Sequence, residues 1–190
     1  MPSREPFDDD GWLRAARLVI SPNFDARPGG ANVDLVVVHN ISLPPGRFGG
    51  DGVERLFTNA LDAREHPYYE TIVGLRVSAH FFIRRSGALV QFVPCPMRAW
   101  HAGASRWKDR NRCNDFSIGV ELEGTDTRAF TAKQYARLAR LVNLLRGRYP
   151  ITDVAGHSDV APGRKTDPGP AFDWLRLRRL LGPGVAVPAR

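Results

Sequence analysis

The chain has 190 residues, of which 43% are hydrophobic and 25% charged, and its formal net charge is +7 at pH 7. This length suits one domain with a sizeable buried core. No apolar run in the sequence approaches the roughly 18 residues that a membrane span needs. The first ten residues are acidic and polar and lack the apolar stretch of a secretory signal, which favours a cytoplasmic protein. Cys95 and Cys113 are expected to be free thiols, because neither belongs to a CxxC pair and cytosolic thiols stay reduced.

The excess of positive charge raises the question of nucleic-acid binding. Much of it lies in residues 133–148 and 174–179, where arginines alternate with leucines as on the solvated face of an amphipathic helix. The sequence has no helix-turn-helix, zinc-finger or aromatic-rich RNA-binding motif, so neither nucleic acid nor a membrane is an expected partner. A basic site that attracts a carboxylate-rich small ligand explains the same charge.

The N-terminal half predicts alternating strands and short helices. Residues 1–32 are rich in Pro, Gly, Asp and Asn and suit a covering segment. The continuous apolar run 33–39 suits a strand buried on both faces. A short helix is predicted over 52–61, and a helix-like or irregular segment over 67–75. Two apolar runs within 77–93, separated by a short Gly-containing turn, predict a hairpin.

A loop rich in aromatic and basic residues then leads into a further strand. The loop covers residues 99–114, and the strand covers 116–123. Apolar and polar positions alternate along that strand, which predicts one face in the core. The other face carries Glu121 and Glu123, which therefore point the same way.

The C-terminal third contains the clearest helix, over residues 131–148. Thr131 and Gln134 form a capping box at its start, and apolar residues recur at helical spacing after them. A second, shorter helix is predicted over 173–181.

These elements predict an α/β fold with a central mixed sheet flanked by helices. The expected organisation is one domain spanning residues 1–190. The ends, residues 1–10 and 183–190, are expected to be flexible.

Two histidines and an aspartate are the candidate metal ligands. His39 ends the first apolar run, His157 lies in a short glycine-led turn, and Asp167 precedes a proline. Two imidazoles and a carboxylate suit a catalytic zinc, which keeps three protein ligands and leaves the fourth position to water. The alternative for Asp167 is that it caps a helix starting near Pro170.

Lys165 and the two strand glutamates are the candidates for proton transfer and charge stabilisation. An extended chain puts Lys165 on the same side as Asp167, where its ammonium could stabilise an oxyanion. The alternative is an ordinary exposed lysine. Either Glu121 or Glu123 could take a proton from a water and pass it to a leaving amine. The alternating pattern does not choose between them.

Two further histidines are assigned structural or substrate roles. His80 lies within the first strand of the predicted hairpin and is expected to be buried and hydrogen-bonded. His101 lies in the aromatic loop and suits a wall of a substrate site better than metal ligation.

Several motifs resemble those of a known enzyme family and occur in the same order. They are residues 38–46 (VHNISLPPG), 76–80 (RVSAH), 98–103 (RAWHAG), 113–119 (CNDFSIG), 121–127 (ELEGTDT) and 165–170 (KTDPGP). From about residue 11 to residue 180 the chain resembles the type 2 N-acetylmuramoyl-L-alanine amidases. This family includes phage lysozyme-like amidases and peptidoglycan recognition proteins. The resemblance is greatest to its cytoplasmic members that cleave 1,6-anhydro-N-acetylmuramyl-L-alanine during cell-wall recycling.

The resemblance implies a zinc hydrolase with a defined set of site residues. Zn²⁺ would be bound by His39, His157 and Asp167, Glu121 would be the catalytic acid/base, and Lys165 would stabilise the oxyanion. The implied substrate contacts are Asn40, Arg76, Ala99, Trp100 and Arg112. Arginines suit the carboxylates of a D-glutamyl and diaminopimelate stem peptide, because a guanidinium can hold a carboxylate bidentately.

The resemblance also implies a substrate and an assembly state. The expected substrate is an anhydro-N-acetylmuramyl peptide, with or without N-acetylglucosamine, and the expected assembly is a monomer. Two other functions stay open at this point. One is an amidase of intact peptidoglycan, which would need export, and the other is a non-catalytic peptidoglycan-binding module.

Overall fold

A computed structural model describes residues 5–190 and has one large mixed sheet with helices on both faces. The strands are β1 (Arg17–Leu18), β2 (Phe24–Asp25), β3 (Leu35–Ile41), β4 (Phe81–Ile83), β5 (Leu89–Gln91), β6 (Arg98–Ala99), β7 (Arg106–Trp107), β8 (Arg110–Asn111), β9 (Ser117–Glu123) and β10 (Asp153–Gly156). The helices are α1 (Gly52–Phe57), α2 (Pro67–Ile72), α3 (Ala132–Arg146), α4 (His157–Val160) and α5 (Trp174–Leu181), with 3₁₀ turns at Ala63–Glu65 and Cys113–Asp115. The predicted mixed α/β fold is confirmed. None of the helices in the described range is long and apolar enough to cross a membrane.

The strand order of the six-stranded sheet decides which residues meet. The order is β1-β5-β4-β9-β3-β10, with β3 parallel to both β9 and β10. His39 pairs with Glu121 across β3 and β9, and Val38 pairs with Gly156 of β10. Parallel strands present their carboxyl ends at one edge, where open α/β sheets bind ligands. His39, Glu121 and the segment that follows Gly156 therefore lie at the same edge.

Both faces of β9 are buried, whereas the alternating pattern suggested that only one lies in the core. Ile118 and Val120 pack in the main core under α3 and α5. On the opposite face, Gly119 lies against the ring of His101, and Glu121 is only 8% exposed. A central strand with parallel neighbours is covered on both sides of the sheet. The polar positions of β9 thus mark a covered face that carries functional groups.

The two long helices begin where their capping residues predict. Thr131 accepts a hydrogen bond from the backbone N–H of Gln134, and the Gln134 side chain accepts one from the backbone N–H of Thr131. Asp173 accepts a hydrogen bond from Arg176 N–H at the start of α5. Each cap satisfies N–H groups that have no partner inside the helix.

The shorter elements differ from their predicted bounds. The segment predicted as a helix over 52–61 leaves the helical conformation after Phe57, and Asn59 adopts a left-handed backbone with φ 60°. The hairpin over 77–93 is present with shorter strands. His80 precedes β4 instead of lying inside a strand, but it is buried and accepts a hydrogen bond from Gly119 N–H at 3.0 Å.

Both chain ends make contacts with the domain within the described range. Phe7 is buried and forms a bridge with Leu13, and Ala186 forms a bridge with Asp153 at the edge of β10. The flexibility of residues 1–10 and 183–190 stays a prediction, and residues 1–4 lie outside the described range. Cys95 and Cys113 are free thiols, as predicted, and both are buried. Burial raises the pKa of Cys95 to about 12.

Candidate active site

The structure brings together the three residues that the sequence singled out as metal ligands. His39 Nδ1 lies 3.0 Å from His157 Nδ1 and 3.2 Å from Asp167 Oδ2. The third distance, from His157 Nδ1 to Asp167 Oδ2, is 3.1 Å. Ligands 2.0–2.1 Å from a tetrahedral zinc are about 3.3 Å apart, so this spacing fits such an ion. Among the described residues, this is the one group of His, Cys, Asp or Glu close enough to hold a metal.

The protonation of this group also suits a cation. His157 Nε2 is 3.2 Å from Ala102 O, and a carbonyl only accepts, so Nε2 carries the proton and the neutral form of the ring would present an Nδ1 lone pair. Burial lowers the pKa of His39 to about 4, so its ring is neutral at pH 7. Burial alone would raise the pKa of Asp167, but either histidine, when its Nδ1 carries a proton, donates to the carboxylate and holds that pKa below 3.8. Asp167 is therefore a carboxylate.

The location of Asp167 excludes the alternative role that the sequence left open. Helix α5 is capped by Asp173, six residues further on, and the Asp167 carboxylate faces the two histidines. A cis peptide bond joins Asp167 to Pro168. The loop is also tied to α4, because Ser158 N–H donates to the Asp167 backbone carbonyl at 2.9 Å.

The two strand glutamates, which the sequence could not tell apart, have different surroundings. Glu123 accepts hydrogen bonds from Gly49 N–H at 2.6 Å and Arg85 N–H at 2.9 Å. Glu121 lines the cavity, and its buried Oε2 has no hydrogen-bond partner within the described part of the chain. Burial raises the pKa of Glu121 well above 4.5, the charge of Asp167 adds to this, and Lys165 opposes it. The unpaired carboxyl group with a raised pKa is the better candidate for proton transfer.

The three residues of the metal-ligand group line an open cavity of about 590 Å³. Lys165 is exposed and lines this cavity together with Glu121 and Asp167. Asn40 and Trp100 line it as well. Asn40 donates to Asp126 Oδ1 at 2.6 Å, and Trp100 Nε1 donates to Asp25 Oδ1 at 3.2 Å, so both side chains are held in place.

The other three predicted substrate contacts do not line this main cavity. Arg76 lines a smaller adjoining cavity of about 230 Å³, which shares Trp100 and Lys165 with the main one. Ala99 belongs to β6 and its side chain is 0% exposed, so it forms no part of the cavity surface. Arg112 lines neither cavity and pairs with Asp115 at 3.2 Å.

His101 has a contact that sequence reasoning did not predict. It lines the cavity, as expected of a wall residue, but its Nδ1 also lies 2.9 Å from His39 Nε2. The loop is positioned by Asn114, whose side-chain oxygen accepts from the N–H groups of His101 and Ala102. The only sequence signal for this contact is a glycine at position 119, since any side chain there would occupy the space of the ring.

The fold and this arrangement of residues define a family, and comparison with known proteins identifies it. Residues 29–170 match the family described as N-acetylmuramoyl-L-alanine amidase, and the chain belongs to this family. It is an N-acetylmuramoyl-L-alanine amidase, which confirms the resemblance that the sequence motifs indicated.

Individual relatives agree with this assignment. The chain is 57% identical over 177 residues to the 1,6-anhydro-N-acetylmuramyl-L-alanine amidase AmpD of Citrobacter freundii, covering 92% of this chain and 95% of the relative. A crystal structure of a Se-Met AmpD derivative superimposes with a TM-score of 0.89 at 57% identity, covering 92% of this chain and 98% of that one. A complex of Escherichia coli AmiD with the substrate anhydro-N-acetylmuramic acid-L-Ala-D-gamma-Glu-L-Lys gives a TM-score of 0.59 at 25% identity. That match covers 94% of this chain and 66% of AmiD.

Proposed function

We propose that this protein hydrolyses the amide bond between 1,6-anhydro-N-acetylmuramic acid and the L-alanine of a stem peptide, as a zinc-dependent enzyme of cytoplasmic peptidoglycan recycling. The observation that carries the proposal is the convergence of His39 Nδ1, His157 Nδ1 and Asp167 Oδ2 beside the unpaired carboxyl group of Glu121. The identity of 57% to a 1,6-anhydro-N-acetylmuramyl-L-alanine amidase over most of both chains supports the choice of substrate.

His39, His157 and Asp167 would hold the zinc ion. Bound there, zinc would lower the pKa of a water to near 7 and polarise the substrate carbonyl. Two neutral imidazoles and one carboxylate are a donor set that zinc accepts, and three protein ligands leave a position for water.

Glu121 is the proposed general base and then the general acid. As a carboxylate it takes the proton of the attacking water, and as a carboxylic acid it gives that proton to the departing alanine nitrogen. Its raised pKa favours both steps, because an acid/base group works best when its pKa lies near the operating pH. Lys165, on the same cavity, would place its ammonium near the carbonyl oxygen and stabilise the negative charge that develops there.

The cavity wall suggests how the peptide is held. Trp100 offers an aromatic surface, Asn40 offers an amide, and Arg76 offers a guanidinium at the adjoining cavity for a peptide carboxylate. The substrate in the AmiD complex has the same anhydromuramyl-L-Ala-D-γ-Glu beginning as the one proposed here. N-acetylglucosamine on the sugar is compatible with the proposal, and a monomer is the proposed active form.

A chelation experiment tests the proposal. Purified protein is treated with a chelator, dialysed, and assayed on an anhydromuramyl tripeptide before and after adding Zn²⁺, with the free peptide detected by mass spectrometry. We expect the activity to disappear and to return with about one zinc per chain. Intact sacculi provide the comparison substrate. Release of peptide from sacculi at the rate seen with anhydromuropeptide would contradict the proposed specificity, and zinc-independent hydrolysis would contradict the proposed mechanism.

A further inference from the structure

The ring nitrogen of His39 that faces away from the metal-ligand group is hydrogen-bonded within the protein. His39 Nε2 lies 2.9 Å from His101 Nδ1, and His101 Nε2 lies 3.2 Å from Ser117 Oγ. Ser117 Oγ in turn lies 2.6 Å from the carbonyl oxygen of Cys113. These contacts form one continuous chain of hydrogen bonds from the backbone to the proposed metal ligand. We call it the His101 relay.

The direction of every hydrogen bond in the relay follows from its last member. The Cys113 carbonyl can only accept, so the hydroxyl proton of Ser117 points to it. Ser117 Oγ must then accept from His101, which places the His101 proton on Nε2. His101 Nδ1 is therefore an acceptor and receives the proton on His39 Nε2. The Nδ1 atom of His39 is left with a lone pair, directed at His157 and Asp167.

The opposite tautomer of His39 would be harmful to metal binding. With its proton on Nδ1, His39 would donate to Asp167 Oδ2, which is only 3.2 Å away. In that tautomer Nδ1 would have no lone pair for the metal, and the hydrogen bond would also occupy the Asp167 oxygen. A metal ion would then have to break it before binding. His39 is 1% exposed, so water offers little competition for its Nε2 proton.

The surroundings of His101 are built to hold the ring in this position. A Cβ atom at Gly119 would lie 2.4 Å from His101 Cγ, so only glycine leaves room for the ring over β9. The backbone N–H of His101 is held by Asn114, and Ser117 is fully buried. The glycine, the asparagine and the serine thus fix the ring from three sides.

We propose that His101 is a positioning residue that holds His39 in the Nε2-protonated tautomer, with Ser117 setting the direction of the hydrogen bonds, so that the His39 Nδ1 lone pair is free for the metal. This inference rests on the proposed metal site. Hydrogen-bonding partners of metal-binding histidines fix the tautomer and ring orientation, and removing one costs about 10–100-fold in metal affinity.

Two substitutions of equal size at position 101 test the acceptor directly. In His101→Asn the amide oxygen can take the place of Nδ1, whereas His101→Leu has the same shape and no acceptor. We expect His101→Leu to bind zinc about 10–100-fold more weakly than wild type, and His101→Asn to recover most of that loss. Zinc affinity is measured by competition with a chromophoric chelator, independently of turnover. Equal affinity of wild type and His101→Leu, or equal losses in both variants, would overturn the proposal.

Nitrogen NMR of the wild-type protein provides a second test that needs no variant at position 101. Two-bond ¹⁵N–¹H correlation spectra should show His39 and His101 protonated on Nε2 and unprotonated on Nδ1. Ser117→Ala should allow the other tautomer of His101 and weaken zinc binding in the same direction as His101→Leu. A proton on His101 Nδ1 in wild type would overturn the proposal. Failure of wild type to bind zinc at all would instead contradict the proposed metal site.

Discussion

At the scale of single residues, Glu121 and Glu123 show how surroundings decide function. Both point to the same face of β9, and their separation in sequence gives no reason to prefer either. The two oxygens of Glu123 are used by backbone N–H groups of Gly49 and Arg85, from two different loops. Glu121 keeps an unpaired oxygen in the cavity. No local sequence pattern reports these loop contacts, so the residues alone left the choice open and only the family resemblance pointed to Glu121.

Matched substitutions should separate the two roles. Glu121→Gln should lower kcat by about 10²–10⁴, the usual contribution of a general acid/base, while zinc content stays near that of wild type. Glu123→Gln should leave kcat near that of wild type but lower the free energy of unfolding by about 1–3 kcal/mol, since it weakens two partly buried hydrogen bonds to the carboxylate. Steady-state kinetics, elemental analysis and thermal unfolding provide the measurements. Wild-type kcat in Glu121→Gln would exclude its proposed role.

The pH dependence of hydrolysis should reflect the raised pKa of Glu121. The base must be ionised, so kcat/KM should be at its maximum above the pKa of Glu121 and should fall as the pH drops through that pKa. Because this pKa is raised well above 4.5, the loss should begin well above pH 4.5. Because Lys165 lowers the pKa of Glu121, Lys165→Met should move the acidic limb to higher pH. The same substitution should reduce turnover by about 10²–10³, the scale of one oxyanion donor. Zinc content, measured across the same pH range, controls for metal loss. If the acidic limb of the Lys165→Met profile lies at the same pH as in wild type, Lys165 does not lower the pKa of Glu121.

At the scale of elements, the sequence predicted what depends on local signals. The capping box of α3, the buried strand β3 and the hairpin of β4 and β5 were all indicated by caps, apolar runs and turns. The burial of the second face of β9 was not, because it depends on a loop that folds back from residues 99–114. The position of His101 depends on the same long-range packing.

Gly119 is the place on β9 where this packing can be tested. Gly119→Ala would put a methyl group 2.4 Å from His101 Cγ. Strand β9 is paired with β3 and β4, and Asn114 holds the loop, so both resist the shift that would relieve the contact. Overpacking of this kind costs about 1–3 kcal/mol, so the melting temperature should fall, and zinc affinity should fall with it as the ring is displaced. Gly74→Ala is the control, because no atom lies within 4 Å of the added methyl group. Unchanged zinc binding in Gly119→Ala would mean that the ring position does not matter to the metal.

At the scale of the whole molecule, the proposed metal site joins distant parts of the chain. His39 is separated by 118 positions from His157 and by 128 from Asp167. The parallel pairing of β3 with β10 brings the first two together, and the loop after α4 adds the third. From the residues alone, Asp167 was equally consistent with a helix cap. The resemblance of the motifs supplied the set of ligands, and the strand order gives the physical reason why they meet.

Because the ligands meet only in the folded chain, zinc should stabilise the fold. Binding to the native state alone adds RT ln(1 + [Zn]/Kd), about 2.7 kcal/mol at a free zinc concentration 100 times Kd. The melting temperature should therefore rise with zinc concentration in wild type and should not respond in Asp167→Asn. Asp173→Asn is the matched control, since asparagine caps a helix as well as aspartate does and α5 lies outside the ligand set.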